Sequence, residues 1–402
     1  MRVMTLALPR LTNRLPHLPI FWALLSTAAV LVWQALTVNF NYQGDWSALF
    51  YTGAYERVPP AIANEGTFRI ANDPGFDGQF YHFIAHDPFL RKDTAQYVDD
   101  PGFRWRRILV PLTAWLLALG NSDYIDSTYA ITILGFVFLG SLWLGRSCLR
   151  WRLSPALSLL FPLVPAVLVS IDRFTVDVAL AALAIGFVAE ERWRLFLVLA
   201  LAPLARETGL IFPIAFGLDS LRRKDRRGMA FAVAAILPYA GWLVYLSHRT
   251  PAALGVHVSL IPFRGLWERT IHPVVYALSS SWVRTAAVLD YLAVLAMWVS
   301  LALVVCVLWR RSLDRTVVAA TLFTATFMAF VSQPDVWYGA YTFSRSMSPV
   351  LIFLALIGMA VRSWIYVIPL AMSLPRILWQ LTPQWHGIWH GLKLAWRLSR
   401  PG

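Results

Sequence analysis

Cysteine and charge are what this 402-residue chain has least of: two cysteines, and 14% charged residues against roughly 25% in ordinary soluble domains. Cys148 and Cys306 lie far apart at the ends of apolar runs, so they build neither a disulfide framework nor a metal knuckle. With 58% hydrophobic residues and a mean hydropathy of +0.57, the apolar surface exceeds what one soluble core can absorb. A soluble globular domain, disorder, a collagen-like fibre and a disulfide scaffold are thereby excluded. No internal repeat is visible, nor any low-complexity tract, soluble Rossmann-like domain or Gly-rich phosphate loop.

What is abundant is apolar runs punctuated by arginine. The net charge of +13 would point to nucleic acid in a soluble protein. In a membrane protein it marks cytoplasmic loops, so no nucleic-acid partner is expected. A span needs about 20 apolar residues. Candidates are 19–38, 126–145, 153–170, 174–189, 229–247, 286–309, 315–332 and 346–361, with a weaker one at 363–381. The first follows a basic start (Arg2, Arg10, Arg14), is too long for the h-region of a cleaved signal, and reads as a retained span. The expected fold is an all-α polytopic membrane protein, residues 1–402 forming one domain of about 9–11 membrane helices. The clusters Arg146, Arg150, Arg152; Arg222, Arg223, Lys224, Arg226, Arg227; and Arg310, Arg311, Arg315 are assigned to the cytoplasm.

That orientation puts residues 39–125 outside as a large first loop. From Asn39 to Phe103 it holds nine acids against four bases, a net of minus five. Its end, 106–119, is too short to span and reads as an interfacial helix with Trp105 and the neighbouring arginines at headgroup level. The apolar stretch 195–218 has bases at both ends, Arg192 and Arg194 before it and the five-base run after it. One crossing cannot satisfy both, so it reads as a re-entrant hairpin broken near Pro203 to Gly209, with Arg206 and Glu207 at the tip. Charge and irregular backbone at that depth require surrounding protein or a water-filled cavity. The second largest outer loop spans about residues 248–284, and the tail QWHGIWHGLKLAWRLSRPG reads as an interfacial helix.

Charges in or beside spans are costly and therefore informative. They are Asp172, Arg173, Asp177, Arg206, Glu207 and Arg345, all on the outer side of this topology, which points to one polar cavity there. In NDPGFDGQFYHFIAHDPF, residues 72–89, Phe76, Phe80, Phe83 and Ile84 recur at helical spacing and predict a short helix lying on the membrane. Asp77 near its start is either a helix cap or a general base able to deprotonate a hydroxyl. Gln79 and Tyr81 beside it are candidates for substrate binding. Asp45 is the second such carboxylate, its plainer reading being a solvated loop acid. His82 and His86, spaced i, i+4 with Asp87 adjacent, permit a metal but more often serve as interfacial polar residues. No metal ligand or cofactor is assigned, and a divalent ion is left open. Arg104, Arg106 and Arg107 either meet anionic headgroups or clamp a phosphate. Arg173 and Asp177 are four apart and can neutralise each other, which leaves Asp172 unpaired. Arg206 and Glu207 can pair locally or with neighbours, and Arg345 adds a phosphate contact or an interfacial anchor.

FDGQFYHFIAHDPF, followed by RWRRILVPLTAWLLAL and then ARETGL, resembles the bacterial GT-C-type integral membrane glycosyltransferases in pattern and order, best over residues 18–220. The resemblance implies a first outer loop that carries the catalytic acid and amphipathic juxtamembrane helices. It implies a polyprenyl-phosphate sugar as donor, a glycan, lipid or protein hydroxyl as acceptor, and an active site on the periplasmic or exterior face of the bacterial inner membrane. Asp77 or Asp45 becomes the base, and Arg206 with Glu207 falls where relatives have a Lys or Arg before a Thr-Gly pair. The reading from another class is a transporter or flippase of lipid-linked sugars, with the same charges lining a path.

Overall fold

A computed structural model describes residues 18–251, 259–272, 274–276, 281–310, 314–334 and 336–398. Arg2, Arg10, Arg14, Arg311 and parts of the loop at 248–284 and of the C-terminal tail lie outside the described residues. The chain is an all-α polytopic membrane protein. Among the described residues, five helices are long and apolar enough to cross a bilayer, or seven if each of two bent helix pairs is one span.

Helix α1 (Leu18–Asn41) leads into the first loop, which carries α2 (Pro60–Asn64), α3 (Asp77–His86), α4 (Pro101–Arg104) and α5 (Leu109–Leu117). Two two-residue strands, Thr52–Gly53 and Arg69–Ile70, pair in parallel and tie the loop together. On α5, Leu109, Val110 and Ala114 are buried while Leu116, Leu117 and, just past its end, Leu119 are exposed, which leaves apolar surface for lipid. Trp105 departs from expectation. It is wholly buried, with its indole N–H directed at the Asp87 carbonyl, because α4 turns inward and takes the adjacent arginines with it.

Helix α6 (Ile125–Arg150) returns through the bundle and is followed by a 3-10 segment, Pro155–Leu163, and α7 (Pro165–Arg173). The expected straight span at 153–170 is instead a pair bent by 59°, since Pro162 and Pro165 each remove a backbone donor. Phe174 then adopts a left-handed conformation and ends α7. Helix α8 (Asp177–Ala189) is short and almost entirely buried.

Helices α9 (Arg192–Ala205) and α10 (Ile211–Arg222) are joined by the turn at 207–210 and both pack on α11 (Arg226–Ser247). Glu191, Arg192 and Leu195 at the start of α9 border the same surface hollow as Phe216, Arg227 and Arg315. Both feet of this hairpin therefore sit at the basic end of the bundle, and its tip points to the opposite end. Gly209 permits the turn, because a Cβ there would lie 2.0 Å from the Ala202 carbonyl oxygen.

The second half comprises α12 (Arg264–Ile271), α13 (Ser281–Arg310), α14 (Arg315–Thr324), α15 (Ala340–Val361), α16 (Ile368–Gln380) and α17 (Thr382–Leu398). Helix α14 widens into a π-turn at Ala325–Phe330. Helix α15 begins six residues before the expected span, which brings Arg345 inside its first turns. Helix α17 is amphipathic, exposing Trp385 and Trp389, and lies against the end of α1. The Trp33 and Trp385 rings are 4.9 Å apart, and Gly387 and Gly391 sit tight against Asn41 and Phe40. The tail thus docks at the end of the bundle opposite the basic clusters.

Candidate functional site

A cavity of about 660 Å³ opens at that same end, walled by Asp77, Arg104, Arg107, Arg206, Glu207, Thr208, Arg345 and Ser346 on its polar side. Phe76, Phe103, Phe327, Phe330, Val331 and Val336 form its apolar side, with Thr326, Gln333 and Thr342 between. Every helix that reaches it does so with the end remote from the basic clusters. These are the start of α3, the end of α4, the α9–α10 tip, the end of the α14 π-turn and the first turns of α15.

Asp77 is the first residue of α3, where Phe76 occupies the cap position without a side-chain bond. Its carboxylate caps nothing. Oδ1 lies 2.9 Å from Arg104 Nη1 and Oδ2 accepts from Arg345 Nη2 at 2.7 Å. The following Gly78 makes this placement possible, since a Cβ there would sit 2.2 Å from the Arg173 carbonyl oxygen and 2.7 Å from that of Phe50. Burial alone raises the Asp77 carboxyl, but the Arg104 and Arg345 guanidiniums outweigh it and hold the group well below the usual carboxylate range.

Arg104 also binds Asp99 through two bonds of 2.9 and 2.7 Å. Arg107 forms a two-pronged pair with Glu207, at 2.8 and 2.7 Å, and donates to the Tyr81 hydroxyl at 3.1 Å. Arg206 pairs closely with Asp177 and reaches Ser346 Oγ at 3.3 Å. Arg345 Nε lies 3.6 Å from Asp177 Oδ2. Four guanidiniums are thus matched by four carboxylates, though Asp77 and Glu207 are the two that border the cavity and Asp99 and Asp177 stand behind it. The buried Arg345 Nη1 and Arg206 Nε have no hydrogen-bond acceptor.

The structure therefore gathers Asp77, Arg104, Arg107, Arg206, Glu207 and Arg345 around one space, with Asp177 and Tyr81 as supports behind them. Other expected site residues fall elsewhere. Asp45 caps the 3-10 turn Trp46–Phe50, accepting from Ser47 N at 2.9 Å and Ser47 Oγ at 2.7 Å, and is not part of the cavity wall. Gln79 accepts from Gly53 N at 3.1 Å and donates to the Pro74 carbonyl at 3.2 Å, which makes it a brace of the loop. Arg106 is half-buried outside the wall.

Arg173 does not neutralise Asp177, because the left-handed Phe174 and the turn after it place the two on different helices. It pairs with Asp172 at 2.9 Å and stacks 3.3 Å above the Tyr51 ring. Asp172 also accepts from Tyr341 at 3.0 Å and Gln384 at 3.1 Å, so it is the reverse of unpaired. Arg206 and Glu207 pair across the fold, their own separation being 3.9 Å.

Sequence reasoning missed a further buried ion pair, Arg376 Nε to Asp290 Oδ1 at 3.2 Å. Asp290 also accepts from the backbone N–H of Ala340 at 2.9 Å and so fixes the start of α15, the helix that carries Arg345. Both charges lie within expected spans, and the cost of charge in a span was the signal available. The apolar wall gave no signal, since Phe327 and Phe330 look like any lipid-facing residues.

His82 and His86 lie buried on α3, their Nε2 atoms 3.2 Å apart. The adjacent Asp87 does not join them. It accepts from the backbone N–H groups of Arg91 and Lys92 at 2.8 and 2.9 Å and closes the turn after the helix. The acids beside the two histidines are instead Asp126 and Glu65. No known protein family, curated protein or solved structure matches this chain.

Proposed function

We propose that the chain is a membrane glycosyltransferase of GT-C type that moves a sugar from a polyprenyl-phosphate donor to an acceptor hydroxyl. In this reading the cavity faces the periplasm or exterior of a bacterial inner membrane, and the first loop with α2–α5 supplies the juxtamembrane helices. The observation that carries it is Asp77 held between Arg104 and Arg345 at a cavity with one guanidinium-rich wall and one apolar wall. Guanidinium forks match a phosphate, and the aromatic side suits an isoprenoid chain.

The pairing also sets an order of events. Clamped by two arginines, Asp77 is a poor base. A donor phosphate that draws Arg345 and Arg104 toward itself releases the carboxylate and raises its basicity in the same step. Asp77 then takes the proton of the acceptor hydroxyl as the acceptor oxygen bonds the anomeric carbon. The bond from that carbon to the phosphate oxygen breaks, and its electron pair leaves with the polyprenyl phosphate. One displacement inverts the anomeric centre, and catalysis consists of positioning and charge stabilisation.

The test is a transfer assay with purified protein, a radiolabelled polyprenyl-phosphate sugar and candidate acceptor glycans and lipids. Asp77→Asn is expected to lose about 10²–10⁴ of the rate, and Asp45→Asn to keep it. Full transfer by a folded Asp77→Asn protein removes the base from this reading. A transporter or flippase of lipid-linked sugars draws on the same clamped carboxylate as a gate. It predicts that proteoliposomes move the labelled lipid across the bilayer with its sugar still attached.

A further inference from the structure

A second cluster lies at the other end of α3, away from the cavity. His82 Nε2 is 2.7 Å from Asp126 Oδ1 and 3.2 Å from His86 Nε2, and His86 Nε2 is 3.6 Å from Glu65 Oε2. The ligand atoms of Glu65, His82 and His86 all lie within 4.8 Å of one another. Three electron-pair donors therefore converge on one point, with Asp126 against one of them. A single imidazole proton on His82 Nε2 cannot serve both Asp126 and His86, although both are in contact with it.

We propose that Glu65, His82 and His86, with Asp126 beside His82, form a binding site for a divalent transition-metal ion, zinc by ligand type. With zinc to nitrogen and oxygen distances of about 2.0–2.2 Å, the ligand atoms of a tetrahedral site stand about 3.3 Å apart. The His82–His86 and His86–Glu65 separations of 3.2 and 3.6 Å lie about that value, and all three ligand atoms fall within 4.8 Å of one another. Imidazole nitrogen with carboxylate oxygen is a donor set that favours zinc over magnesium or calcium, which take oxygen. The Phe50 ring stacks on His82 with centroids 3.9 Å apart and fixes the imidazole plane.

The histidine side chains are 0% and 3% exposed, whereas Glu65 and Asp126 are 28% and 33% exposed. The ion thus has a buried seat and a route in from water. Three protein ligands leave a fourth position for water or for Asp126. The ligands come from the end of α2 and from α3, and Asp126 from the first turn of α6 holds His82, so the ion would staple the loop through the helix that begins with Asp77. None of the four borders the cavity, and the proposal does not depend on the chemistry assigned there.

The test is zinc chloride titrated calorimetrically into chelator-stripped full-length protein in detergent, with metal content measured by mass spectrometry. One zinc per chain, a raised melting temperature with zinc and none with magnesium are expected. His82→Asn with His86→Asn should abolish binding, and Glu65→Gln should weaken it by more than about tenfold. Glu65 is partly exposed at a helix end, so that variant decides the matter even where the buried histidine changes unfold the chain. Absence of zinc uptake by folded wild-type protein, or unchanged affinity in Glu65→Gln, overturns the site.

Discussion

Arg345 reaches back across 268 residues to donate to Asp77 at 2.7 Å. That one contact joins the first loop to the late helix α15, and it restrains the carboxylate that the proposed chemistry requires. Arg345 also approaches Asp177 at 3.6 Å, so the same guanidinium links the loop, α8 and α15. A ligand that displaces it changes the footing of all three.

Asp77 sets an acid dependence of stability. Its carboxyl is held below its ordinary value of 3.8 by Arg104 and Arg345, which overcome the opposing effect of burial. A depressed folded-state pKa contributes stability that is complete above the unfolded value and drains away as pH falls below it. Thermal unfolding in detergent should therefore show the melting temperature of wild type dropping more steeply than that of Asp77→Asn below about pH 4. Parallel curves for the two proteins would show that the clamp is not coupled to folding.

The Arg107–Glu207 pair ties the turn between α4 and α5 to the hairpin tip, with side chains only 5% and 23% exposed. Removing one partner strands a buried charge, so Glu207→Gln should cost about 3–5 kcal/mol. Replacing both by apolar residues, Arg107→Met with Glu207→Leu, should cost less than the single change. Thermal titration of wild type and the two variants measures this, and a double variant that loses as much as Glu207→Gln or more would contradict the stranded-charge account.

Gly78→Ala places a methyl 2.2 Å from the Arg173 carbonyl oxygen, and backbone on both sides leaves it no room to yield. A loss of about 1–3 kcal/mol is expected. Gly135→Ala, on an open face of α6 with nothing within 4 Å, should be neutral or slightly stabilising because alanine favours helix. Melting temperatures of the pair separate close approach from helix propensity.

Orientation is accessible to thiol labelling in a Cys306→Ser background, Cys148 being buried. Asp93→Cys on the first loop should react with an impermeant maleimide applied to intact cells, and Asp225→Cys, beside the five-base run, should react only after lysis. The opposite pattern would invert the topology and put the cavity on the cytoplasmic face.

The sequence revealed residues better than partners. Arg206, Glu207 and Arg345 were each visible because charge near an apolar span is expensive, whereas Asp77 stood out through the helical spacing of its first-loop motif. Pairings were not visible. The i, i+4 rule joined Arg173 to Asp177, but it holds only within a continuous helix, and the positive φ of 41° at Phe174 breaks that helix. Asp45 resembled a site acid because its capping role depends on the backbone of Ser47, which residue type alone does not show. For His82 and His86 the spacing was legible, whereas Glu65 and Asp126 were not, since they arrive from separate elements.

The docking of α17 on α1 has a temporal side. Asp172 completes its set of donors only when Tyr341 and then Gln384 are in place, and Trp33 gains the Trp385 ring from the last described helix. During synthesis α1 leaves the ribosome well before α17, so this flank stays uncovered until Gln384 has emerged. Seating of α17 is therefore a late act of assembly, and a nascent chain halted before residue 384 would hold a bundle with α1 half-dressed.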